Sequence, residues 1–296
     1  MDPTQGAAPA SRRTSRPSPP SVHGLSTVTA VTAQNTSEIR VIFPVPAEVI
    51  RQQIRAVTED IGVDAVKTGM LPTAEAATIV ASELRGLDVP IVVDPVMEAT
   101  TGSRLMGEGV LKILREELIP RATLVTPNKF EAEALTGLKI GGIDDVEKAA
   151  ERLASLGAKA VLIKGGHILS GGKAIDFLLV EGEGRMLEWE RLDVRTLHGT
   201  GCVLSSAVAA QLAKGEPLVR AVELGKEFQR EHDVFTDLLR DEGIEVLMLT
   251  DQLDEHHAHI AETLPNLVYT RDVCMVSNLG AHALRMTYAA RQVEPL

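Results

Sequence analysis

The chain is short of cysteine and of positive charge, and it has no long apolar run. Its 296 residues include two cysteines, Cys202 and Cys274. Two cannot build a disulfide framework, and they suit a reducing, cytoplasmic compartment. Lys and Arg number 30 against 41 Asp and Glu, a net charge of −11. That balance argues against a nucleic-acid footprint, because a phosphate backbone wants a basic face. A nucleotide is still allowed, since it needs only a local positive pocket. No stretch approaches the roughly 20 consecutive apolar residues of a membrane-spanning helix. A Walker A loop is missing as well: "HILSGGKA" has neither the leading glycine nor a Ser/Thr after the lysine, so Lys173 reads as part of a turn. With 44% apolar and 24% charged residues, what remains is an enzyme or small-ligand binder with a sizeable core.

Residues 1–23, "MDPTQGAAPASRRTSRPSPPSVH", hold almost no large apolar side chains and are expected to stay disordered. The alternative, an Arg- and Ser-rich transit peptide, is opposed by prolines that break any amphipathic helix. From residue 24 strand and helix patterns alternate. "STVTAVTA", "VDAVKTG", "PIVVDPVM", "ATLVTPN" and "KAVLIKGGH" read as strands. "PAEVIRQQIRAVTEDIG", "TAEAATIVASELRGL" with Thr73 as N-cap, "GEGVLKILREELI" and "DDVEKAAERLASLG" read as helices. "AIDFLLVEGEGRMLEWERL" reads as a hairpin turning on Gly182 and Gly184, and a small-residue helix follows "HGTGC". The alternation predicts an α/β domain with a mostly parallel sheet covered on both faces. The texture changes after about residue 228, where a helix and strand lead to the polar run "DEHHAHIAE" and two short strand-like pieces.

Ligands of parallel sheets bind at the carboxyl ends of the strands. The polar clusters of this chain fall there: Lys67-Thr68-Gly69-Met70, Asp94-Pro95, Thr126-Pro127-Asn128, Lys164-Gly165-Gly166-His167 and His198-Gly199-Thr200-Gly201-Cys202. In "HGTGC" the glycines permit a tight turn, and the first free N–H groups of the helix converge with positive partial charge on one point. That suits a phosphate, or charge developing on one, and the same field favours a thiolate at Cys202 that would accept a proton. The plainer alternative makes Cys202 a small buried hydrophobe. Asn128 and Glu131 stand three apart at a helix start, a pair that fits either Mg²⁺ held through water and phosphates or simple helix capping. Lys164 offers a phosphate-neutralising cation.

As an ordered set, "VTAQNT", "VKTGML", "VVDPVM", "VTPNKFEAEALTG", "VLIKGGH" and "HGTGCVLSSAVAAQLAKG" resemble hydroxymethylpyrimidine/phosphomethylpyrimidine kinases, thiamine-biosynthetic members of the ribokinase superfamily. The resemblance covers residues 24–228 and implies a ribokinase-like three-layer sandwich. It implies transfer of the ATP γ-phosphate, with Mg²⁺, to the pyrimidine's hydroxymethyl group or its monophosphate. By that similarity Gln34 hydrogen-bonds the pyrimidine and Met70 packs on it. Asp94, Asn128 and Glu131 organise Mg²⁺ and phosphates, and Lys164 contacts the nucleotide. Gly199, Thr200, Gly201 and Cys202 form the anion hole, with Cys202 where sugar kinases of the superfamily carry an aspartate base. A homodimer is common among such enzymes, while neither nucleic acid nor membrane is implied as a partner.

The family's opening strand and glycine-rich loop have no match, because the Pro/Ser/Arg tail stands in their place. The expectation is therefore a first β-α unit missing from the sheet and an activity impaired by it. Thr68 stands where an aliphatic residue is usual. Residues 229–295 resemble a fragment of arginine deiminase and related guanidine-modifying enzymes, which implies a partial α/β-propeller in a segment 229–296. There Asp272 matches a guanidinium-binding aspartate and Arg291 a carboxylate-binding arginine, both vestigial without that family's catalytic histidine and cysteine. Two other readings stay open: a non-catalytic nucleotide- or pyrimidine-binding protein, and a chimeric product with no function of its own.

Overall fold

The computed structural model describes residues 22, 24–34, 39–98, 104–165, 169–170, 173–190, 200–241, 245–246, 275–277 and 280–282. The tail 1–21, Gly199, "HHAH" at 256–259, Asp272 and Arg291 lie outside them.

The described chain begins with an antiparallel hairpin, β1 (Ala30–Gln34) and β2 (Ile39–Pro44). The second strand is absent from the sequence reading. The hairpin turns an apolar side outward, with Val31, Val41 and Phe43 exposed. Helix α1 (Ala47–Asp60) and helix α2 (Ala74–Leu84) flank β3 (Val66–Thr68). Thr73 caps α2 as its sequence predicts, its side chain accepting the Ala76 N–H. Glu83 accepts from both Arg51 and Arg55 and so ties α2 to α1.

After β4 (Ile91–Val93), the expected helix forms but does not stay regular. One α-helical turn, α3 (Val110–Ile113), widens to a π turn at Leu114–Leu118 and tightens to a 3₁₀ turn at Ile119–Arg121. Pro120, which has no N–H to give the preceding turn, sits at that change. Then come β5 (Leu124–Val125), α4 (Lys129–Thr136), α5 (Ile143–Ala154) and β6 (Ala160–Ile163). A two-residue β7 (Leu169–Ser170) precedes the long hairpin of β8 (Lys173–Val180) and β9 (Glu183–Glu190). Lys173, read as a turn residue, is the first residue of β8.

Strands β3, β4, β5 and β6 pair parallel in that order, and β8 joins β6 antiparallel. Strand β9 takes the other side of β8. The hairpin turns on Glu181 (φ 53°) and Gly182 (φ 80°), both left-handed as a two-residue type I′ turn requires. Gly184 belongs to β9 and not to the turn. A β-carbon there would stand 2.6 Å from the Phe177 ring, so the position is small to let an aromatic lie across it.

Alternate residues of the same strands feed two cores. Val93, Val125, Val161, Ile163 and Phe177 face the helices α2 to α5. Val92, Leu124, Leu162 and Leu178 face α6 (Thr200–Ala213), through Leu204 and Val208, and α7 (Leu218–Asp241), through Ala221 and Val222. Continuous apolar strands and helices on both faces follow from this division. Helix α7 runs without a break through residues 228 and 229. Beyond it the described backbone is a small antiparallel sheet of β10 (Glu245–Val246), β11 (Met275–Ser277) and β12 (Gly280–His282). Among the described residues no helix is long and apolar enough to cross a membrane.

Candidate active site

Asp94 is the first residue past β4, and its N–H extends the ladder to the Thr68 carbonyl (3.1 Å). Its neighbours extend theirs likewise: Thr126 N–H to Val93 O at 2.9 Å, and Lys164 N–H to Pro127 O at 2.8 Å. The backbone therefore stays strand-like while the side chains turn polar. Because the strands are parallel, those side chains arrive at one rim.

Asp94 gathers them. It is 1% exposed, a burial that an aspartate tolerates only with partners. Its Oδ1 accepts from the Lys164 ammonium at 3.0 Å and from Thr126 Oγ1 at 3.3 Å. Its Oδ2 accepts from Ser205 Oγ at 2.9 Å, and the Lys67 ammonium stands 3.8 Å away. Burial alone would raise its pKa, but Lys164, Lys67 and the hydrogen bonds hold the carboxyl below its ordinary range. Lys164 shows the converse. Burial would lower its pKa, yet Asp94 and Glu131 keep the ammonium charged and its pKa raised.

Asn128 and Glu131 form a capping box at the start of α4. The Asn128 side chain accepts the Glu131 N–H at 2.9 Å, and Glu131 Oε2 accepts the Asn128 N–H at 2.7 Å. The same Oε2 lies 3.9 Å from the Lys164 ammonium, so one glutamate serves the cap and the rim. Burial pushes its carboxyl up to about 6, against the pull of Lys164.

Helix α6 brings its N-terminus to the same cluster. A β-carbon on Gly201 would lie 3.2 Å from the Lys164 ammonium, so the start of α6 packs directly beside it. Cys202, half-buried and free, is the next residue of the same turn. One helical turn on, Ser205 reaches Asp94. The structure thus gathers Asp94, Asn128, Glu131, Lys164, Gly201 and Cys202 on one rim. Thr200 begins α6 beside them.

Met70 lies just past β3 on the neighbouring loop, its carbonyl accepting from Thr29 Oγ1 at 2.7 Å. That bond ties the loop to the segment entering β1, whose last residue is Gln34. Only the backbone of Gln34 is described, paired with Ile39. Three contributors to the Asp94 cluster escape the sequence reading as individuals: Lys67, Thr126 and Ser205. The first two stand in polar clusters named for other residues. Ser205 falls four residues after Gly201, a spacing that puts both on one helix face and that a search for i, i+4 partners would find.

Residues suited to Mg²⁺ are present, and each is already held by the protein. Both Asp94 oxygens and Glu131 Oε2 already accept from protein donors, as does the Asn128 oxygen. Among the described residues no group of three or more His, Cys, Asp or Glu converges on a point. A magnesium ion held mainly by water and phosphates fits such a rim, and a dedicated protein cage does not. The carboxyl of Glu131, made costly by burial, is the group such a cation would relieve.

The sequence profile of the family described as Phosphomethylpyrimidine kinase matches residues 18–234. The hydroxymethylpyrimidine/phosphomethylpyrimidine kinase of Streptomyces coelicolor is 45% identical over 206 residues, which are 70% of this chain and 76% of that one. Phosphomethylpyrimidine kinase from Clostridium difficile 630 superposes with a TM-score of 0.63 at 37% identity, covering 71% of this chain and 86% of the other. An ADP complex of Bacillus subtilis pyridoxal kinase gives 0.65 at 37% identity, covering 71% and 80%. The fold is accordingly ribokinase-like, and the chain belongs to the phosphomethylpyrimidine kinase family.

Proposed function

We propose that the chain transfers the γ-phosphoryl group of ATP to the hydroxymethyl group of hydroxymethylpyrimidine, to the phosphate of its monophosphate, or to both, within thiamine biosynthesis. The observation that carries this is the meeting of the Lys164 ammonium, the Asp94 carboxylate and the first turn of α6 at one rim. A phosphoryl group in transfer spreads negative charge over its oxygens, and catalysis is mostly positioning and stabilisation of that charge. The amides at Gly201 and Cys202 supply fixed positive potential, and Lys164 supplies a full charge held in place by Asp94. The acceptor oxygen forms its bond to the γ-phosphorus as the bond to the ADP oxygen breaks. Its proton passes to the Cys202 thiolate. Asp94, Asn128 and Glu131 would hold Mg²⁺ through water, and the cation would supply positive charge against the nucleotide phosphates. Gln34 and Met70 hold the pyrimidine ring, a role supported by the family resemblance and by the Thr29–Met70 bond that ties the loop after β3 to the segment entering β1.

The test is ADP release from ATP and Mg²⁺ in the presence of hydroxymethylpyrimidine. Cys202→Ala is expected to lower the rate by about 10²–10⁴-fold while the chain stays folded. Turnover undiminished in Cys202→Ala would remove the thiolate from this role. A wild-type chain that ATP and pyrimidine stabilise against heat without turnover would be a binding protein. A chain that neither ligand stabilises would have lost both functions. The similarity to a pyridoxal kinase favours one other acceptor, a pyridine carrying a hydroxymethyl group. The ratio of kcat/KM for the two acceptors separates them.

A further inference from the structure

We propose that Asp176 is a positioning residue for Lys164, acting through the peptide bond that follows it; this rests on the phosphotransfer reading. Asp176 sits in the middle of β8, where its neighbours Ile175, Phe177, Leu178 and Leu179 are apolar, and it is 2% exposed. A carboxylate so placed is costly unless every oxygen has a partner. Oδ1 accepts the N–H of Gly165 at 2.8 Å, and Oδ2 meets the Lys226 ammonium of α7 at 2.7 Å. The indole of Trp189, on β9, lies 6.0 Å from that same ammonium.

Gly165 directly follows Lys164, and no other residue fits there: a β-carbon would fall 1.3 Å from the Ile175 carbonyl oxygen. The β6–β8 ladder pairs Ile163 with Phe177 and then stops. The Gly165 N–H is thus pressed against β8 beyond the ladder's last pair, and the Asp176 side chain takes it. The backbone of Lys164 is consequently held from both ends. Its own N–H goes to Pro127 O on the β5 side, and the next N–H goes to Asp176 on the β8 side. Those two bonds aim the side chain that reaches Asp94 Oδ1 at 3.0 Å. Nothing in this chain of contacts places Asp176 against substrate. Its effect passes through Lys164.

Two neutral double variants isolate the Gly165 bond without stranding a buried charge. Asp176→Ala/Lys226→Met removes the acceptor, whereas Asp176→Asn/Lys226→Gln keeps it. The readout is the labelling rate of individual lysines by an amine-reactive reagent, followed by peptide mass spectrometry on the full chain. Lys67 is the internal control, because its side chain also borders Asp94 and is 14% exposed against 16% for Lys164. In Asp176→Ala/Lys226→Met the labelling of Lys164 is expected to rise about fivefold, the equivalent of one lost hydrogen bond, with Lys67 unchanged. Asp176→Asn/Lys226→Gln is expected to return Lys164 to its wild-type rate. Phosphotransfer should follow the same order in kcat. Equal labelling in both variants, or Lys67 and Lys164 rising together, would overturn the proposal. Labelling needs no turnover, so an inactive wild-type chain would sink the kinase reading and leave this test standing.

Discussion

Asp94 and Asp176 are both buried carboxylates paired with lysine, yet they sit in differently built parts of one sheet. Asp94 stands past the end of a parallel strand, where ladders stop and side chains from β3, β5, β6 and α6 converge. Asp176 lies inside an antiparallel strand and binds one amide and one ammonium. A parallel sheet gathers the ends of several strands at one rim, so a carboxylate there becomes a junction open to a ligand. An antiparallel strand paired on both sides offers only its own ladders, so a carboxylate within it becomes a brace. The contrast lies in connectivity, since the two are about equally buried.

The sharpest way to break that comparison is to delete the junction. Asp94→Ala leaves two ammonium groups facing each other with no shared anion, and unfolding in urea should show a loss of about 3–5 kcal/mol, with no phosphotransfer. A loss under about 1 kcal/mol would mean that water already serves those lysines. Gly165→Ala attacks the brace by sterics, because its methyl group meets the Ile175 carbonyl. A fall of about 3 kcal/mol in the same measurement is expected, as for overpacked sites.

Glu131 separates the two regions by pH. Its carboxyl titrates at about 6 in the folded chain against 4.5 ordinarily, so the folded state holds the extra proton between those values. Stability therefore falls as pH rises from about 4.5 to 6, and the loss persists above that window. Asp94, with its pKa lowered, acts with the opposite sign: its contribution is lost as pH falls through its folded value. Glu131→Gln keeps the cap and should gain about 2 kcal/mol at pH 7–8 and almost nothing at pH 4. The same variant should weaken the pH dependence of Mg·ATP affinity, read by calorimetry. The smallest effect concerns Thr68, whose hydroxyl is buried without a hydrogen-bond partner. Thr68→Val is expected to raise stability by about 1 kcal/mol in thermal denaturation.

Much of this was legible from local pattern. Thr73 caps its helix because a threonine before an apolar-periodic run has one donor to satisfy. The strands β3 to β6 read as buried runs because both their faces meet helices. On spacing alone Asn128 and Glu131 fit either capping or magnesium, and their geometry supplies the cap. Gly184 resembles a turn residue as closely as Gly182 does when only the local sequence is considered. The choice of Gly182 depends on which residues pair across the hairpin, and a partner strand decides that. Asp176 carries a signal of its own, a lone acid in "AIDFLLV", since burial there demands a partner.

Apart from β2 and β7, sequence alone determined the order of the main elements, the apolar faces and the set of polar residues that end each strand, because these depend on spacing along one segment. Tertiary structure alone decided that Lys67, Thr126, Lys164 and Ser205 share Asp94, with 111 residues separating the last from its partner. It also decided that Asp176 braces Gly165 and left Asp94 the junction. Contacts of that range come from parallel strands aligning their carboxyl ends, a relation between segments that none of them carries by itself.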